Sequence, residues 1–312
     1  MPHKVLVCDP IHPTGIALLK KAGIEVEENV NLTPEQLEKK IVEFDAVIVR
    51  GRTKITSSVL SAGLRLKAVA RSGVGLDNID LNAAKTRSIS VISTPAAPTT
   101  SVAELAVGLM LAVLRRISFA DRAMKEGRWA KGELMGSELK SRTVGVVGAA
   151  GRIGPEVARI SVQGFGAKAI GYDVLDVTEK ARQVGFRAVG QLSELLSESD
   201  IVSIHVPYLP STHHLMDEKA INSMKKGAIL INTSRGDLVD GPFMLAALKS
   251  GRLSGAGLDV FHKEPPVDEW EKELVTLPNV VCTSHIGAQT LETQRLESTT
   301  VAEELTRVLG EK

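Results

Sequence analysis

The chain has 312 residues, 43% of them apolar and 24% charged. That composition excludes disordered and fibrous classes and fills the cores of about two domains. Its 38 basic and 37 acidic residues leave a formal charge of +1, and the aromatic residues are six phenylalanines, two tyrosines and two tryptophans. Neither a basic field nor a stacking surface for nucleic acid follows, so no nucleic-acid partner is expected.

The chain opens MPHKVLVCDP, a short strand and a turn without the apolar core of a signal peptide. The longest apolar run, Leu105 to Leu114, is too short to span a bilayer, so no membrane association and a cytoplasmic location are expected. Up to about residue 97, strand-like runs (KVLVC, DAVIV at Asp45–Val49, KAVA at Lys67–Ala70, SISVI at Ser88–Ile92) alternate with helical segments. One helix is announced by Thr33-Pro34-Glu35-Gln36, where Thr33 caps, Pro34 suits the first turn and Gln36 completes a capping box. Unbroken apolar strands alternating with helices predict a parallel sheet covered on both faces.

Next comes a helix beginning at Ser101, with Glu104 at capping-box spacing. Its buried stripe is Val102, Leu105, Ala106, Leu109, Met110 and Val113. This helix is expected to cross from one domain to the other. A second βα series follows in TVGVV, AKAIGY, DIVSIHV, AILIN and LSGAGLDV, and Leu291–Leu309 reads as a helix returning to the first domain. The expected fold class is α/β, with two doubly wound parallel-sheet domains. A discontinuous flavodoxin-like domain covers 1–97 and 286–312, and a Rossmann-type domain covers 98–285. Cys8 and Cys282 each end an apolar strand and are expected to be reduced, buried thiols.

TVGVVGAAGRIGPEVARI sets Gly148, Gly151 and Gly154 between a strand and a helix. Glycines there let the backbone approach a pyrophosphate at the free N–H groups of a helix start. Asp173 ends the next strand, nineteen residues after Gly154. An acid at that place accepts from both ribose hydroxyls and repels a 2′-phosphate, which favours NAD over NADP. The spacing is GxxGxxG, with Ala149 where the usual fingerprint has glycine, so a reshaped turn that retains binding is expected.

Three later segments place polar groups just past strands: AILINTSRGDLVD with Arg235, GAGLDVFHKEPP with Asp259 and Glu264, and NVVCTSHIGAQT with His285. Singly each has an ordinary structural reading. Together they fit one job, because a guanidinium grips a carboxylate or polarises a carbonyl, and a histidine oriented by a carboxylate moves a proton.

With these segments in order, the chain resembles the D-isomer-specific 2-hydroxyacid dehydrogenase family. The likeness also runs through VIVRGRTKIT, RSGVGLDNIDL, TSVAELAVGLMLAVLRR and DIVSIHVP. Within the family it is most similar to the phosphoglycerate dehydrogenases. The resemblance implies an oxidoreductase using NAD, with His285 as acid/base, Glu264 as its partner and Arg235 as substrate anchor. It also implies cofactor contacts from Arg152 and Ile153 at the pyrophosphate turn, from His205, Val206 and Pro207, and from Thr233, Asp259 and Gly287. The turn Gly73-Val74-Gly75 would bind the substrate carboxylate. Arg50, Arg52 and Arg71 would receive a phosphate, which needs several such donors, making the partner a phosphorylated 2-hydroxy or 2-keto acid. No metal is implied, and the glycine-containing helix suggests a homodimer, since relatives pair through this region.

Two departures stand out: the glycine loop has one residue more than the family's usual VGxxGxGxIG, and Pro98 replaces a usual asparagine. Only 27 residues follow His285, so no serine-sensing regulatory domain is expected. The alternatives are a hydroxypyruvate or glyoxylate reductase, or an NAD-sensing binding protein like the family's corepressor branch.

Overall fold

The computed structural model describes residues 2–310. The chain forms two compact units, one running to Pro98 and resuming at Ala288, the other Thr99–Gly287. These limits fall one and two residues beyond the boundaries expected from sequence.

The first unit carries strands β1 (Lys4–Val7), β2 (Glu25–Glu28), β3 (Ala46–Val49), β4 (Ala68–Arg71) and β5 (Ser90–Ile92). Its helices are α1 (Pro13–Lys21), α2 (Pro34–Lys40), α3 (Ser57–Ala62) and α4 (Leu81–Thr86), joined by the late helix of Leu291–Gly310. The strands pair in parallel in the order β2-β1-β3-β4-β5, which is the flavodoxin-like order. Alternate residues feed two cores. Leu6, Val47 and Val69 meet Leu37, Val59 and Leu60, while Val5, Ile48 and Ala70 meet Leu19, Val301 and Leu305. Period-two alternation with apolar residues on both faces is what a doubly covered sheet requires. The capping box at Thr33 is formed. The edge strand β2, sequence EVEE, is absent from the sequence-based reading because its charges resemble a turn; edge strands tolerate such charges.

In the second unit, α5 (Thr99–Leu114) and α6 (Ile117–Lys125) precede β6 (Thr143–Val147), α7 (Ile153–Arg159), β7 (Lys168–Tyr172) and α8 (Thr178–Val184). Then follow β8 (Arg187–Ala188), α9 (Leu192–Glu198), β9 (Ile201–Ile204), α10 (Glu218–Ser223) and β10 (Ala228–Asn232). The unit ends with α11 (Gly241–Lys249), β11 (Leu253–Leu258), α12 (Glu269–Thr276) and β12 (Val280–Cys282), and the late helix of the first unit is α13 (Leu291–Gly310). All seven strands are parallel in the order β12-β11-β10-β9-β6-β7-β8. The chain thus starts mid-sheet at β6, winds outward to β8, then returns to β9 on the other side of β6. This is the doubly wound Rossmann arrangement, with its switch point between β6 and β9.

α5 differs from the expectation at its start. It begins at Thr99 and not Ser101, so Ser101 is a buried residue inside the first turns and not its cap. Within the second unit it packs on α7, β10 and β11. Among the described residues no helix is long and apolar enough to cross a membrane, and no group of three metal-binding side chains occurs. Both thiols are free, with Cys8 buried and Cys282 half-buried.

Candidate active site

The glycine turn stands at the switch point. Gly148 follows β6 with φ of +98°, and a Cβ there would lie 2.4 Å from the carbonyl oxygen of His205, at the end of β9. A Cβ at Gly154 would lie 2.4 Å from the oxygen of Gly148. These two glycines therefore let turn, helix and neighbouring strand close on one another. Gly151 differs. Its added Cβ would meet only the Gly148 oxygen, at 3.4 Å, and it faces outward. A side chain there would fill the space over the turn, so this glycine keeps a cradle open and not a core closed.

Ala149, the residue where the common fingerprint has glycine, is fully buried. Its methyl fits because the adjacent strand offers Gly171, where an added Cβ would lie 2.8 Å from it. Asp173 accepts from the N–H of Ala150 at 2.9 Å and of Leu175 at 3.1 Å, leaving two of its four acceptor sites. Lys180 donates to the carbonyl oxygens of Ala150 and Gly151. Arg152 is exposed and Ile153 half-buried at the start of α7.

Past β9, Val206 is half-buried and Pro207 exposed. The Nε2 of His205 bonds Ser203 Oγ at 2.8 Å, and burial pushes the ring down to about 3, so it is neutral near pH 7. His205 Nδ1 and Thr233 Oγ1 are buried without hydrogen-bond partners. Two orphaned polar atoms at strand ends beside an open glycine cradle fit a ligand rich in polar groups, such as a dinucleotide.

The catalytic candidates lie at the ends of β10, β11 and β12, which are neighbours in the sheet. After β10, Asn232 holds the turn by donating to the Arg235 oxygen at 2.8 Å and accepting from the Ser234 N–H at 3.0 Å. Arg235 follows, then Gly236, where an added Cβ would lie 2.1 Å from the Phe261 carbonyl carbon. That contact presses the Arg235 loop against the loop after β11. There Glu264 Oε1 accepts from the Phe261 N–H at 3.3 Å, and Oε2 meets His285 Nδ1 at 2.7 Å. Burial pushes the Glu264 carboxyl up, but the His285 hydrogen bond and charge, the Phe261 N–H and the Arg235 charge bring it below the usual range. With Nδ1 on Glu264, the opposite ring nitrogen of His285 is the one left for a substrate.

Asp259, 1% exposed, organises the histidine loop. Its carboxylate accepts from Thr283 Oγ1 at 2.6 Å, Ile286 N at 2.8 Å and Gly287 N at 2.9 Å, and its carbonyl accepts from His285 N at 2.8 Å. His285 has φ of +53°. That left-handed backbone is costly for a non-glycine residue and persists because these bonds over-determine it. Sequence reasoning missed the buttress formed by His262 on Asp237, which ties the same two loops together. The hydrogen bond to Asp237 raises the histidine above its ordinary value. The only signal was position: Asp237 lies two residues after Arg235, and His262 two before Glu264.

In the first unit, Asp9 at the end of β1 is 2% exposed and gathers the 50–53 turn. It accepts from Arg50 N at 2.7 Å, Thr53 Oγ1 at 2.7 Å and Arg52 Nε at 3.2 Å. Arg52 also donates to Asn31 and to the Cys8 oxygen, so at least three of its five N–H groups are already used. Arg50 lies 3.7 Å from Glu297, a fully buried acid on α13. The Arg71 guanidinium runs beside Gly73, whose added Cβ would be 3.5 Å from its Nε. In the turn, the Gly73 N–H is taken by Thr94 Oγ1 at 2.9 Å. It is therefore not a spare donor, whereas Val74 and Gly75 have no protein acceptor among the described residues.

Residues 107–287 match the model of the D-isomer specific 2-hydroxyacid dehydrogenase, NAD binding domain. The chain belongs to this family. Its NAD-binding domain is the second unit, and the family assignment rests on more than that domain. The chain is 42% identical over 306 residues to a D-3-phosphoglycerate dehydrogenase of Methanocaldococcus jannaschii, covering 98% of this chain and 57% of that protein. It is equally 42% identical over 309 residues to a hydroxypyruvate reductase of Thermotoga maritima, covering 99% of both. The chain thus spans little more than half the length of the first relative. Among solved structures it is similar to the D-lactate dehydrogenase of Aquifex aeolicus complexed with NAD and lactic acid. The TM-score is 0.85 at 30% identity, covering 99% of this chain and 96% of that one.

Proposed function

We propose that the protein is an NAD-dependent oxidoreductase of small D-2-hydroxy acids, with D-3-phosphoglycerate and 3-phosphohydroxypyruvate as its substrate pair. The observation that carries the dehydrogenase reading is the 2.7 Å His285–Glu264 pair, with Arg235 acting on the same carboxylate, at the ends of adjacent strands.

Bound NAD supplies the two-electron step, as hydride acceptor in oxidation and donor in reduction. The chain's own residues do the rest. His285, through the nitrogen away from Glu264, takes the substrate hydroxyl proton in oxidation and returns it in reduction. Glu264 fixes the ring through its hydrogen bond to Nδ1. Arg235 holds the acid's carboxylate and the carbonyl oxygen, staying cationic throughout. The open cradle at Gly151 with the start of α7 takes the pyrophosphate, and Asp173 uses its two remaining acceptor sites on the ribose hydroxyls. Asp259 serves the histidine loop more than a direct cofactor contact, since its carboxylate already accepts three bonds. In the first unit, Val74 and Gly75 offer N–H groups to an anionic group of the substrate.

The phosphate reading rests on three arginines around one turn. A second reading, hydroxypyruvate or glyoxylate reduction, is favoured by one observation: Asp9 and Glu297 already balance Arg52 and Arg50. NADH oxidation with 3-phosphohydroxypyruvate, beside hydroxypyruvate and glyoxylate, separates the readings. Preference for the phosphorylated acid supports the first, and preference for an unphosphorylated acid returns the arginines to structural roles. No turnover with any 2-keto acid refutes the dehydrogenase assignment.

A further inference from the structure

α13 buries Thr293, Glu297, Val301, Leu305 and Leu309, spaced four apart along one stripe. Apolar residues belong on such a stripe, and Val301, Leu305 and Leu309 obey. Glu297 does not, although it is 0% exposed. A buried carboxylate is costly unless its oxygens are paired. Here Oε2 accepts one long bond, 3.4 Å, from Ser72 Oγ and lies 3.7 Å from the Arg50 guanidinium, while Oε1 has no hydrogen-bond partner. The helix thus carries an under-satisfied acid to the underside of the Arg50–Ser72 turn, where a methionine or leucine would pack at less cost. Core positions that break the local pattern in this way tend to serve function. Burial pushes the carboxyl above the usual carboxylate range, outweighing the downward pull of Arg50, the Ser72 hydroxyl and Arg71.

We infer that Glu297 is a specificity-determining residue: an internal counter-anion behind Arg50 that sets how strongly the first unit prefers a doubly charged substrate group over a singly charged one. This rests on the reading that the arginine turn receives the substrate's phosphate. The physics is additive. When ionised, a carboxylate 3.7 Å from the Arg50 guanidinium lowers the potential in front of it, and a ligand loses attraction in proportion to its own charge. Phosphate therefore loses more than carboxylate.

The test compares Glu297→Gln with the parent holoenzyme on 3-phosphohydroxypyruvate and hydroxypyruvate. KM for the phosphorylated acid should fall by about tenfold and that for hydroxypyruvate by no more than about threefold, with kcat little changed. A purely structural role would instead move both substrates together or lower kcat. Equal shifts, or none, overturn the inference. Glu297→Met, which keeps the volume and removes the charge, gives the same split if the glutamine variant folds poorly. Arg50→Ala separates the two levels of argument. If it leaves both KM values unchanged, the turn is not the anion site and the underlying reading falls, taking the inference with it. If it raises them while neither Glu297 variant shifts the ratio, the inference alone fails.

Discussion

Replacing Gly236 with alanine puts a methyl carbon 2.1 Å from the Phe261 carbonyl carbon, 2.3 Å from its oxygen and 2.4 Å from the His262 nitrogen. All three are backbone atoms, so no side chain can swing aside. Ordinary contact begins near 3.4 Å, and the loops must part by about 1.3 Å. One loop carries Arg235 and the other Glu264, whose bond to His285 is 2.7 Å long. A parting of that size breaks the bond, and misplacing catalytic groups by about 1 Å costs roughly a hundredfold in rate. We expect kcat to fall about a hundredfold. Overpacking of about 1–3 kcal/mol should also lower Tm by roughly 2–10 °C. Steady-state kinetics and calorimetry measure both, with Gly190→Ala as control, because an added Cβ there meets nothing within 4 Å. A Gly236→Ala enzyme with kcat within threefold of the parent and an unchanged Tm would refute the claim that this contact sets the catalytic geometry.

Asp173→Asn should raise the ratio of kcat/KM for NADPH to that for NADH by at least about tenfold, since the acid no longer repels a 2′-phosphate; an unchanged ratio removes Asp173 as the discriminator. Burial raises Cys8 to about 12, with Asp9 adding to the effect, and raises Cys282 to about 11. Neither forms much thiolate at pH 8, so a disulfide reagent should titrate both only after unfolding in guanidinium. Rapid labelling of the native protein would contradict this. Trp129 and Met135 of the second unit are 78% and 92% exposed, with Ile117 and Met124 also outward. Such an apolar surface fits the homodimer that the family resemblance implies. Light scattering should give twice the chain mass at micromolar concentration, and a monomer would count against it.

The legible part of this protein is what local spacing dictates. Strand and helix periods gave two parallel α/β layers because a strand buried on both faces must be apolar throughout, as β3 is. The glycine turn, Asp173, and the loops of Arg235, Glu264 and His285 were legible because chemistry at strand ends needs particular residue types in chain order. The capping box at Thr33 spans only four residues and was equally plain. What escaped depends on partners far apart in sequence. Nothing local tells that Gly171 makes room for Ala149, that Gly236 faces Phe261, or that Asp237 meets His262. The arginines make the same point. Spacing placed Arg50 and Arg52 beside a turn, but the acids that engage them, Asp9 and Glu297, come from β1 and α13. The sequence by itself determined the fold class and which polar side chains follow the strand ends. The tertiary structure decided how much of each charge is already balanced, because the free energy of a charged side chain is set by what packing brings within a few ångströms of it.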